Sequence, residues 1–153
     1  MFFISARLDA HLDPNDLLVA CGLQRGGRVQ RFIDQRVIDG CTGGGYVPAS
    51  PDRTLEFSAQ VSTEIGSGQV IWNMPYARFQ YYGRVMTDEL GRTWVGPGER
   101  KPVITERRLD YDTAQNPLAG AFWFERAKAD QLNQWLEEAR RVMEQGGTHA
   151  LYE

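Results

Sequence analysis

The stretch from Val70 to Gly83, V-I-W-N-M-P-Y-A-R-F-Q-Y-Y-G, constrains the chain most, because it demands a change of backbone geometry within a few residues. Val70, Ile71 and Trp72 are β-branched or aromatic and follow Gly66-Ser67-Gly68, which predicts a strand entered from a hairpin. Asn73 and Pro75 end it. Proline fixes φ near helical values and lacks an N–H, so Pro75 suits the first turn of a helix. Tyr76 to Tyr82 then form about two turns, with Tyr76, Phe79 and Tyr82 on one face, and Gly83 is the C-terminal cap. Trp72, Pro75, Tyr76, Phe79 and Gly83 are assigned to the structural core. Tyr76, Phe79, Tyr81 and Tyr82 together exceed what one short helix buries on one side, which leaves Tyr81 or Tyr82 for a partner chain.

Upstream, Phe2, Ile4, Ala6 and Leu8 alternate with Phe3, Ser5, Arg7 and Asp9, the period of a half-buried strand over residues 2–9. Asp13 and Pro14 supply an N-cap and a first helical residue. The helix they open carries Leu18, Cys21, Val29, Phe32, Ile33 and Val37 on one side, and Arg25, Arg28, Gln30, Arg31, Asp34 and Gln35 on the other. Gly22, Gly26 and Gly27 predict a kink or a break in its middle. The glycine run from Gly43 to Gly45 lacks the lysine and the preceding strand of a phosphate loop and reads as a flexible connector. Leu55, Phe57, Ala59 and Val61 alternate, predicting a strand over 55–65 that pairs with Val70–Trp72, with a helical first turn as the alternative.

Downstream, residues 84–87 and 93–95 flank a turn at 88–92, so a second small hairpin is predicted. Residues 96–116 show no sustained period, and the whole of 84–115 reads as an extended loop or hairpin insert. A last helix from Phe122 to Met143 aligns Phe124, Ala127, Leu132, Trp135, Ala139 and Val142 in one apolar stripe and ends at Gly146-Gly147. Phe124 joins the core. Phe122-Trp123-Phe124 points rings to opposite sides, so Trp123 is expected to touch something other than this core.

At 153 residues the chain is expected to be one domain, residues 1–147, with a short tail at 148–153. The class is α+β: an antiparallel sheet of about four strands packed against two main helices. A net charge of −3 argues against phosphate-backbone binding as the default. The basic residues Arg100, Lys101, Arg107 and Arg108 interleave with Glu99, Glu106, Asp110 and Asp112, which makes a solvated loop. Cys21 and Cys41 lie too far apart for a disulfide if the helix between them is continuous, and are expected to be reduced thiols in a cytoplasmic protein. The apolar start, Met1 to Ile4, breaks at once into polar residues and is neither a signal peptide nor a membrane span. His11 and His149 sit in no catalytic or zinc-binding motif, and no catalytic residue, metal site or cofactor is assigned.

Four segments carry a resemblance: Tyr46-Val47-Pro48, the leucine-led segment that follows a proline-rich entry, the block from Trp72 to Gly83, and N-P-L-A-G-A-F-W-F-E-R-A-K-A-D from Asn116 to Asp130. Together they resemble minor capsid proteins of tailed bacteriophages, relatives of the head-to-tail joining and tail-completion proteins. The resemblance implies a non-enzymatic virion subunit that assembles into a ring at the neck and contacts neighbouring head, connector or tail proteins. Tyr81, Tyr82, Trp94, Arg100, Lys101 and Trp123 are its expected contact residues. DNA would pass through such a ring without being read. A tail terminator or a capsid-decorating subunit is the nearest alternative; a monomeric protein-binding module or a prophage-encoded hydrolase is the alternative of another class.

Overall fold

A computed structural model describes residues 13–49, 52–94, 96, 98–101 and 103–150. The strand expected over residues 2–9 lies outside the described residues. Asp13 caps α1 (Pro14–Ala20), accepting from the Asn15 N–H at 2.8 Å, and Pro14 occupies its first turn. The glycine-rich stretch then breaks the helix outright, and α2 (Arg28–Thr42) starts afresh with the Val29 and Gln30 N–H groups both on the Gly22 carbonyl at 3.0 Å. Cys21 and Cys41 are free thiols, and Cys41 is fully buried within α2.

The strand expected over 55–65 is a helix, α3 (Thr54–Ser62). One local cap and one burial pattern set by the fold favour it. The Asp52 carboxylate accepts from the Thr54 N–H at 3.3 Å and the Thr54 hydroxyl at 3.1 Å, as a capping residue does. Burial then follows helical spacing, with Leu55, Glu56, Ser58 and Ala59 inside and Phe57 and Val61 outside, so the alternation of apolar residues was coincident with a different period. The expected hairpin is therefore absent. Gly66 and Gly68 instead turn their N–H groups onto the Asp34 carboxylate at 2.8 and 3.1 Å, which buries Asp34 on what reads in sequence as the polar side of α2. Val70–Met74 runs without regular secondary structure.

Pro75 and Tyr76 lead into α4 (Ala77–Tyr82), and Gly83 closes it at φ 66°. Glycine is required here twice over: its backbone is left-handed, and a Cβ would lie 2.8 Å from that of Ala121. The chain continues as β1 (Arg84–Thr87), which pairs antiparallel with β2 (Val103–Arg108) in register Met86↔Ile104 and Thr87↔Val103. The partner of β1 is thus β2 rather than residues 93–95, and the described sheet has two strands where about four were expected. The mixed α+β class stands.

The last helix, α5 (Trp123–Ala150), runs on through Gly146 and Gly147, where the sequence predicts its end, and takes in residues 148–150 of the expected tail. It packs along α2. Gly40 makes this approach possible, since a Cβ at that position would meet the Trp135 ring at 2.5 Å. Gln131 fixes the crossing, donating to the Gly40 carbonyl at 3.3 Å and accepting from Trp135 Nε1 at 3.2 Å. Arg36 pairs with Glu138, and Arg28 donates to the Val142 carbonyl. The core below unites Tyr46, Val47, Leu55, Ala77, Trp123 and Ala127.

Buried polar groups tie the loops to this core. Asn116 Nδ2 donates to the Val47 carbonyl at 2.7 Å and to Glu56 Oε1 at 2.6 Å, and Arg53 Nε reaches Glu56 Oε2 at 2.6 Å. Burial by itself would raise the Glu56 pKa, but the hydrogen bonds from Arg53 and Asn116 outweigh it and hold the carboxyl below its ordinary value.

Candidate functional site

The β1–β2 hairpin and the described residues of the connection between its strands form an arm on the core. At its base the ladder is irregular: Arg84 pairs with Arg108 while Met86 pairs with Ile104, so β2 carries extra residues between those rungs. Thr105 fills the gap, its hydroxyl donating to the Val85 carbonyl at 2.6 Å, and Arg84 Nη1 donates to the Glu106 carbonyl at 2.7 Å. Beyond β1 the turn is built on Asp88. Its carboxylate accepts from the N–H groups of Leu90 and Arg92 at 3.0 and 2.7 Å, and the Arg92 guanidinium pairs with it. Burial would raise the Asp88 pKa, yet these bonds, led by the Arg92 N–H, hold it below the usual carboxylate range.

What this ordered turn displays is apolar. Leu90 is 80% exposed and Trp94 78% exposed, and Val103 and Ile104 of β2 also face outward. Arg100 is exposed as well. Lys101 is half-buried and turns back on its own domain, its Nζ 5.7 Å from the Phe79 ring centroid.

A second surface lies at the foot of the arm, where a ladder of rings climbs out of the core. Trp72 meets Trp123 edge-on at 5.7 Å, Trp123 meets Tyr81 at 4.8 Å, and Tyr81 meets Tyr82 at 5.5 Å and Phe122 at 5.4 Å. Burial increases inward along it: Tyr82 is 49% exposed and Phe122 44%, whereas Trp123 is 1% exposed. Phe122 sits in the left-handed region at φ 51°, with its N–H on the Tyr81 carbonyl at 2.8 Å, so the chain swings sharply before α5 and adjacent rings part company. A groove of about 420 Å³ separates Tyr82 and Phe122 from Arg84, Arg108 and Leu109.

The expected contact residues therefore divide. Tyr82, Trp94 and Arg100 stand at the surface; Tyr81 is half-buried within the ring ladder. Trp123 corrects the expectation that it touches something outside this core, because it is the largest fully buried side chain and offers no area to a neighbour. Of the expected core, Gly83 is buried, Trp72, Tyr76 and Phe124 pack against the central cluster, and Phe79 is half-buried, but Pro75 is exposed. Leu90, Val103, Ile104 and Phe122 were not singled out by sequence reasoning. The β-branched run Val103-Ile104-Thr105 is the signal for β2; nothing local marks Phe122 as the outward ring.

Among the described residues no group of three or more His, Cys, Asp and Glu is placed to hold a metal ion. No helix among them is long and apolar enough to cross a membrane. Asp112 is engaged locally, accepting from the Ala114 N–H at 2.8 Å. The surface thus provides apolar and aromatic contact area with charged flanks. Against known proteins, a family model described as minor capsid protein matches residues 33–143. No match was found among curated proteins or among solved structures.

Proposed function

The chain belongs to the minor capsid protein family, and on that premise we propose that it is a neck or tail-completion subunit whose arm reaches a neighbouring subunit in a ring at the head-to-tail junction. The family is a structural one of the phage virion, so the protein is a virion component that contacts other virion proteins. The observation that carries the finer reading is the arm itself: an ordered turn on Asp88 presents Leu90, and two residues past the turn Trp94, largely to water. Ordering such residues outward has a solvation cost that association recovers, and a large ring such as Trp94 is a common anchor of interfaces. Arm and ring ladder occupy different parts of the subunit, as head-to-tail contacts that close into a ring require.

Light scattering across a concentration series tests this reading, using the chain and a variant in which residues 89–101 are replaced by a short glycine-containing turn. A ring-sized mass that disappears in the variant is the expected result. A mass that persists in the variant removes the arm from the contact, and a monomer both alone and with its neighbouring head and tail proteins removes the ring.

A further inference from the structure

The Val70–Met74 segment runs beside an apolar cleft with its backbone largely unpaired. The Ile71 N–H donates to Thr63 Oγ1 at 3.0 Å and the Met74 carbonyl accepts from the Ala77 N–H at 3.0 Å, whereas the backbone groups of Val70, Trp72 and Asn73 make no hydrogen bond with another described residue. The cleft, about 480 Å³, is walled by Ile33 and Val37 of α2, by Val70 and Trp72, and by Tyr81 and Phe124. Trp72 Nε1 is buried there without an acceptor. An unpaired backbone edge over an apolar wall is where an added strand gains ladder bonds and buries every second side chain.

The chain carries a segment of that description. Residues 1–12 precede α1, and within them Phe2, Ile4, Ala6 and Leu8 are apolar while Ser5, Arg7 and Asp9 are polar. A strand so patterned suits a place with one apolar wall and one face in water. Its attachment point is close by. The loop after α1 is fastened to the near end of the cleft, where the Gly26 N–H donates to the Gly66 carbonyl at 2.8 Å and Gln30 and Gly68 line the wall. The seven residues of α1 carry the chain about 10 Å away, and twelve extended residues reach up to about 40 Å back.

We propose that residues 2–9 pair as a strand with Val70–Met74 of the same chain and lay Phe2, Ile4, Ala6 and Leu8 into the cleft. This pairing is independent of the ring reading, since it concerns one chain alone. Amide hydrogen exchange on the full chain and on a variant lacking residues 1–12 tests it. With the Ile71 N–H turned to Thr63, the alternate amides of Val70 and Trp72 face the free edge; they are protected in the full chain and lose protection by about tenfold or more in the variant, while those of α5 near Ala127 and Trp135 keep theirs. Equal exchange at 70–74 in both chains overturns the proposal. Protection that rises with protein concentration assigns the strand to a second copy and overturns the pairing within one chain. Cross-strand amide contacts between residues 2–9 and 70–74, sought by NMR in the unaltered protein, need no truncation; their absence overturns the proposal even if the truncated chain fails to fold.

Discussion

Trp123 and Tyr82 belong to one ladder of rings yet differ in what their removal does. Trp123→Ala opens a cavity at the centre of the core and is expected to cost roughly 3–5 kcal/mol in chemical denaturation. Tyr82→Ala trims an exposed ring, and a change in stability within roughly 1 kcal/mol is expected. Equal losses for the two variants would mean that the ladder is not graded by burial. Trp72 falls between them because it is only half-buried. Gly40→Ala is a different perturbation. Alanine is the better helix former in isolation, but here its methyl group meets the Trp135 ring, so destabilisation of roughly 1–3 kcal/mol is expected from overpacking. A rise in melting temperature would show that α5 moves away from α2 at little cost.

At the scale of elements, legibility in the sequence followed the locality of the cause. The Asp13-Pro14 cap, the break at Gly22–Gly27 and the Gly83 cap were readable because each is decided within a few residues. α3 and the partner of β1 were not. Leu55, Phe57, Ala59 and Val61 fit a period of two, and the helical burial that excludes a strand is set by the fold, in which Glu56 is held by Asn116, sixty residues away. β1 likewise chose β2 over nearer residues, and only the fold brings those strands together. Trp94 and Tyr82 were legible as surplus aromatics, whereas the reversal of Phe122 and Trp123 depends on one left-handed residue. The α3 contact also has a pH signature. The Glu56 pKa is depressed in the folded state, so its stabilisation is present above the unfolded value of about 4.3 and is lost as pH falls through the folded value. Glu56→Gln is expected to lower the melting temperature at neutral pH, and the gap from the unaltered chain is expected to narrow at pH 4 and below. Melting curves that stay parallel across that range would show that Glu56 contributes no such linkage.

For the whole molecule, the arm and the core make separable demands on the sequence. The core is closed by α2, α3 and α5 with Trp123 at its centre, and none of the arm's outward residues helps to close it. A substitution at the arm tip is therefore expected to leave the fold intact. Trp94→Ala should leave the monomer's melting temperature essentially unchanged, because the ring is exposed before and after. If Trp94 anchors the contact between subunits, the same change should weaken association by more than about 1 kcal/mol, a loss of roughly fivefold or more in affinity. Sedimentation velocity on the two proteins across the same concentration series measures that loss directly. Leu90→Ser provides the companion test, since Leu90 is exposed on the Asp88 turn just before Trp94 and the change should weaken assembly in the same direction. Loss of assembly with retained folding in both variants would mark the arm tip as the contact. Normal assembly in both would remove the arm tip from the contact and make the Tyr82–Phe122 surface at the foot of the arm the next to test.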